Sequence, residues 1–185
     1  VLDAIESPSC FYTLTELATP ESVSSELTPL LSGGITYSPD NSIDNSSTTY
    51  AATVNGQTFA GKEIYKFTSN GLIAISALKL DLFSWPISAN ATSTFKLQGS
   101  GDNVIWRDLS APLASTATTG SLTISNTLAP SLKFKYFRLI GIAGTSGIGG
   151  ITNATFVLSA STNPSANPKI ACTKDTDGDG KLNHL

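Results

Sequence analysis

Apolar and polar positions alternate along most of this chain. Leu78, Leu80 and Leu82 are separated by Lys79 and Asp81, the period-two pattern of a strand with one face buried. The same alternation puts Phe95 and Leu97 on one side of a strand over 94–98, and Leu122 and Ile124 on one side of 121–125. In 133–142, Phe137 and Leu139 share one face, with Tyr136 and Arg138 on the other. Further strands are predicted over 35–37, 62–68, 72–83, 104–109 and 151–160. Turn-forming residues concentrate between them, at 38–49, 99–103 and the glycine-rich 141–150, which reads as a mobile loop. Only 20–31, bounded by Gly33 and Gly34, suggests a helix of a turn or two. Short strands at this spacing, without alternating helices, predict an all-β fold: an antiparallel sandwich. Residues 161–169, with Pro164 and Pro168, read as an exit linker.

Composition sharpens this picture. Hydrophobic residues make up 40% of the 185, but charged residues only 14%, well below the usual quarter. Ser, Thr, Asn and Gly fill the difference, which suits polar-faced strands and long turns better than surface helices. The net charge is -3 and lysines and arginines do not cluster in sequence, so nucleic acid is an unexpected partner. No apolar run reaches the length of a membrane span, and 72–83 is short and carries Lys79 and Asp81. The first residues are acidic, unlike a basic leader, and the expectation is an internal piece of a longer exported chain. Cys10 and Cys172 bracket nearly everything that looks foldable. They are either two buried free thiols or a bridge, and the bridge is preferred. It would constrain the unfolded chain by about 5 kcal/mol in the loop-entropy model and would imply an oxidising compartment.

The candidates for catalysis are few. The sole histidine, His184, lies in the tail, so triads and histidine-based metal sites within the sandwich are excluded. Asp81, Asp102 and Asp108 fall on separate strands or turns. The glycines of 141–150 follow a strand without opening a helix, unlike a nucleotide-binding loop. The expectation is a protein that is not an enzyme.

The tail carries the most specific motif, Asp175-Thr176-Asp177-Gly178-Asp179-Gly180-Lys181-Leu182-Asn183. Carboxylates at alternate positions around a glycine turn are what a calcium ion, with its several oxygen ligands, requires. Asp175, Asp177 and Asp179 would give carboxylates, Lys181 its carbonyl, and Asn183 the ninth loop position. In the same register Asp3 and Glu6 form the second half of another such loop. These ends resemble thrombospondin type 3 repeats. The resemblance implies residues 1–9 as the end of one calcium repeat, 173–185 as the start of another, and a domain over 10–172 between calcium-stiffened spacers.

Three central segments resemble the discoidin-like family, also called the coagulation factor V/VIII type C or galactose-binding-like fold. They are Ser42 to Tyr50, Phe95 to Leu109 and Lys135 to Leu139, the last followed by Ile151 to Phe156, in the family's order and spacing. The resemblance implies a jelly-roll β-sandwich. It also implies one structural calcium, with a carboxylate from Asp44, a carbonyl from Ser46 and an oxygen from Thr49. The family's glutamate on the last strand falls at Asn153 here and its loop glycine at Asn45. Losing that carboxylate would weaken the site, and Asp44 with Asn45 would also serve as a simple backbone-capping turn. A cysteine pair tying the domain ends is a feature of some members.

Trp106 follows the turn signal Gly101-Asp102-Asn103 and is expected to be a buried anchor, while Arg138 is expected to pair locally across the sheet. Ligands of discoidin-like modules bind in loops at one end of the sandwich, through exposed aromatics and a few polar groups. Trp85 is the leading candidate, with Tyr37, Tyr50 and Asn90 behind it; Trp85 would otherwise cap the core. The functional expectation is a non-catalytic extracellular adhesion module that contacts a glycan or surface polymer. Its other partners would be the neighbouring domains of its own chain, without direct membrane insertion. The rivals are a purely structural stalk spacer and an accessory carbohydrate-binding module of an exported glycan-degrading enzyme.

Overall fold

The computed structural model describes residues 16–83 and 85–159. The proposed Cys10–Cys172 bridge and the ligands Asp175, Asp177, Asp179, Lys181 and Asn183 lie outside the described residues. Strands dominate what is described: β1 (Leu17–Ala18), β2 (Ser22–Ser24), β3 (Leu31–Ser32), β4 (Ile35–Thr36), β5 (Glu63–Ile73), β6 (Ile75–Leu82), β7 (Thr94–Ser100), β8 (Arg107–Asp108), β9 (Gly120–Ser125), β10 (Phe134–Ala143) and β11 (Ile151–Leu158). A single 3-10 turn, Pro39–Ser42, is the sole helical element among them.

Two antiparallel sheets form, ordered β1-β11-β6-β9 and β2-β5-β10-β7-β8, with a separate β3-β4 hairpin. Their inner faces supply one core. Leu78, Leu80 and Leu82 point inward from β6, Phe95 and Leu97 from β7, Phe137 and Leu139 from β10, and Ala154 and Phe156 from β11. Phe137 and Phe156 meet across the sandwich, ring centroids 4.7 Å apart. Period-two burial on both sheets is what makes each strand's register obligatory, since a one-residue slip would turn every core side chain to water. The all-β antiparallel expectation is therefore met.

Three local expectations fail. Residues 20–31 are not helical, because their backbone bonds go to other segments. Glu21 N–H donates to the Thr68 carbonyl at 2.7 Å, Glu26 N–H to Glu63 at 2.9 Å and Leu30 N–H to Ala52 at 2.9 Å. The strand over 104–109 shrinks to β8, because the Asp102 carboxylate captures the N–H groups of Val104 and Ile105, both at 2.9 Å. Those two side chains are 77% and 70% exposed.

The glycine-rich stretch 141–150 is a laced segment, not a mobile loop. Thr53 N–H donates to Ile148, Gly56 N–H to Ser146, Phe59 N–H to Gly144, and Ser146 N–H to Gln57. At four of the segment's five glycines, 141, 144, 147 and 150, a Cβ would have no room. One on Gly147 would stand 2.3 Å from the Pro86 carbonyl oxygen, and one on Gly150 2.6 Å from that of Phe83.

Candidate functional site

The lacing places four aromatic side chains together. Phe83 N–H donates to the Gly150 carbonyl at 3.0 Å where β6 ends, and Ala51 and Ile151 exchange bonds of 2.8 and 2.9 Å. Tyr37 follows β4, its carbonyl accepting from Ala52 N–H at 3.2 Å. Asn41 Nδ2 donates to the Tyr50 carbonyl at 3.1 Å, which fixes the far end of the same loop.

On this frame Tyr37 stacks on Tyr50 at 4.7 Å and 23°, and Tyr50 stacks on Phe83 at 4.3 Å and 17°. Trp85 meets Tyr50 edge-on at 5.6 Å and Phe83 at 6.1 Å. All four are half-buried. The rings thus support one another and also remain partly open to solvent, so Trp85 both caps the sandwich end and presents surface. Flat apolar faces beside phenol hydroxyls suit a ligand with apolar C–H surfaces and polar edges.

Burial, together with a hydrogen bond donated to Tyr37 and that phenol's charge, pushes the Tyr50 phenol up to about 12. Tyr65, whose hydroxyl donates to the Gly149 carbonyl at 2.8 Å, is also pushed up by burial. Both phenols are therefore neutral donors at ordinary pH. A raised phenol favours the folded state below its unfolded value near 10 and loses that advantage as pH climbs through the folded one. The urea midpoint is expected to hold level to about pH 9 and then fall. Tyr65→Phe should flatten that fall.

The structure brings three of the four sequence candidates into ring contact: Tyr37, Tyr50 and Trp85. Asn90 does not join the ring contacts. Its Oδ1 accepts from the Thr92 N–H at 3.0 Å and hydroxyl at 2.7 Å, and from the Ser93 N–H at 3.1 Å and hydroxyl at 3.2 Å, which makes it a turn cap. Phe83 was missed by sequence reasoning, although its place two residues before Trp85 in the same loop was a usable signal.

The loop leading to Tyr50 holds the proposed cation ligands. Asp44 accepts from Ser46 N–H at 2.9 Å and from the Thr49 hydroxyl at 2.5 Å, and Asn45 adopts a left-handed φ of 61° where the resemblance implied glycine. Those two bonds, the Thr49 hydroxyl first, hold the Asp44 carboxyl below its ordinary range. Asn153 donates instead to Thr155 Oγ1 at 3.3 Å. Among the described residues no three Asp, Glu, His or Cys side chains converge. The donor set is all oxygen with one formal charge, which suits a hard cation held weakly.

Trp106 is not the buried anchor the sequence suggested. It is half-buried, and the Arg138 guanidinium carbon lies 3.9 Å from its ring centroid. Arg138 itself spans the sheet as expected, donating to Glu63 Oε1 at 2.7 Å and Gln98 Oε1 at 2.9 Å. Such a cation–π stack is worth about 0.5–2 kcal/mol according to its exposure.

No family model and no curated protein matches the sequence. Solved structures do match the fold. The CBM32 module of AlyQ in complex with 4,5-unsaturated mannuronic acid aligns with a TM-score of 0.52 at 17% identity, over 76% of this chain and 97% of that one. A Clostridium perfringens CBM32 module in complex with GalNAc-β-1,3-galactose aligns with a TM-score of 0.55 at 16% identity, over 73% and 93%. A truncated AlyQ with CBM32 and alginate lyase domains aligns at 0.54 and 17%, over 80% of this chain but 34% of that one. At such identities the likeness defines the fold: a galactose-binding-like β-sandwich of the kind found in carbohydrate-binding modules. Among the described residues no helix is long and apolar enough to cross a membrane.

Proposed function

We propose that this sandwich is a non-catalytic glycan-binding module whose site is the Tyr37–Tyr50–Phe83–Trp85 cluster. The observation that carries the reading is the convergence of these four half-buried rings at the end of β6, beside the Gly150–Ile151 junction. The fold neighbours, several named as carbohydrate-binding modules, support it. The setting we propose is an exported, cell-surface chain with calcium-stiffened flanks, as the terminal Asp-rich motif suggests. An accessory role beside a glycan-degrading enzyme is the second reading, favoured by the match to a chain that joins such a module to an alginate lyase domain. A polysaccharide pull-down across neutral and acidic plant and animal glycans tests the function. Retention of at least one polymer, lost in Trp85→Ala, is the expected result; retention of none by the intact chain would leave only a stalk spacer.

Calcium belongs to the same proposal. Asp44, Ser46 and Thr49 would hold it, and the ion would stiffen the loop that ends at Tyr50. Millimolar calcium is expected to raise the melting temperature of the chain, and Asp44→Ala to remove that part of the rise due to this loop. A calcium response identical in wild type and Asp44→Ala would refute this site.

A further inference from the structure

The charged residues are divided unequally between the two sheets. The strands of the five-stranded sheet carry Lys66, Lys96, Arg107, Lys135 and Arg138 against Glu63 and Asp108. Those of the four-stranded sheet carry only Lys79 and Asp81. One sheet is thus net cationic in a chain whose total charge is -3. Glu63 engages Arg138 and Lys66, and Asp108 engages Lys96. Neither carboxylate is paired with Arg107, which stands exposed on the edge strand β8.

Beside Arg107 lies a groove of about 490 Å³, walled by Trp106 and Asp108 on one side and by residues 128–132 on the other. That volume is in the range of small-molecule sites. Arg138 covers one face of Trp106 and holds the indole in place, and Leu128 and Leu132 add exposed apolar surface. A fixed indole with an apolar wall gives an anion-bearing sugar ring a surface for its C–H face, and an arginine fork gives a planar donor for its carboxylate. Bonds from Thr127 N–H and Leu128 N–H to the Leu109 carbonyl, at 3.0 and 3.4 Å, tether the far wall to the strand side.

We propose that this groove is a second glycan subsite, separate from the ring cluster, which binds a carboxylated polysaccharide through Trp106 and Arg107. The charge division selects the occupant: a neutral sugar would gain nothing from the cationic sheet, whereas a polyuronate gains both the local fork and the surrounding field. The site is independent of the Tyr50–Trp85 cluster, so either can fail without the other.

The test uses polygalacturonate and its fully methyl-esterified form, which share a backbone and differ in charge. Polygalacturonate is expected to shift the amide resonances of 106–108 and 128–132 and the Trp106 indole N–H, and the methyl ester to leave them in place. Arg107→Gln, a change at an exposed side chain, is expected to weaken polygalacturonate binding at least tenfold, and Trp85→Ala less than twofold. Wild-type affinity in Arg107→Gln would overturn the proposal. So would equal shifts with the methyl ester, a tenfold loss in Trp85→Ala, or a groove that responds only to an extended peptide pairing with β8.

Discussion

Gly141→Ala is expected to destabilise the sandwich by about 3 kcal/mol or more, near the top of the range for overpacking. A Cβ there would sit 2.0 Å from the Phe59 carbonyl oxygen and 2.5 Å from its carbon. Those atoms are backbone and cannot swing aside. They are further held by bonds from Gly61 N–H to Gly141 at 3.0 Å, from Gly141 N–H to Lys62 at 2.9 Å and from Lys62 N–H to Phe59 at 2.8 Å. Relief would require β10 to part from the 59–62 turn. Gly33→Ala is the control: φ is +59° but open space surrounds it, so only the left-handed backbone penalty of about 1 kcal/mol remains. Urea midpoints of the two variants should separate clearly, and equal midpoints would show that the turn yields more easily than its bonding suggests.

Tyr50→Ala is expected to be the most damaging single change at the ring cluster, exceeding Trp85→Ala in its cost to stability. Tyr50 is the one ring in contact with all three others. With aromatic pairs worth about 0.5–1.5 kcal/mol each, its loss should destabilise by about 2–3 kcal/mol and leave Tyr37 and Phe83 without a common neighbour. Trp85→Ala removes two edge-on contacts, to Tyr50 and Phe83, and should cost about 1–2 kcal/mol. Retention of a polymer held by the ring cluster should therefore vanish in Tyr50→Ala even at temperatures where the chain stays folded by far-ultraviolet circular dichroism, while polygalacturonate held at Trp106 and Arg107 should remain. Tyr50→Phe, which keeps the ring, should retain most of the stability and reveal what the hydroxyl contributes.

The long strands were legible in the sequence because their physics is local. Leu78, Leu80 and Leu82 against Lys79 and Asp81 could make no other element with one buried face, and β6 follows that pattern closely. The site was half legible: Tyr37, Tyr50 and Trp85 stood out as aromatics in turn-rich loops, but their mutual stacking depends on the Ala51–Ile151 pairing, which joins residues a hundred positions apart. What misled was competition for backbone donors. Asp102 takes the N–H groups that would have extended β8, and the partners that hold 20–31 extended lie on remote segments. The glycines of 141–150 look the same in sequence whether they permit motion or close approach, and only the neighbours' positions decide between the two. Trp106 was misplaced for a similar reason, since Arg138 reaches it from another strand.

The chain has two tryptophans, and each stands at one of the two proposed ligand surfaces, Trp85 among rings and Trp106 beneath a guanidinium. Nature has in effect supplied a separate optical probe for each. With Trp106→Phe, emission reports Trp85 alone, with excitation energy arriving from the neighbouring tyrosines; with Trp85→Phe, it reports a fluorophore perturbed by an adjacent cation. A mixed polymer titrated into the two single-tryptophan proteins would then resolve, without labels, which surface fills first and whether one strand of glycan occupies both.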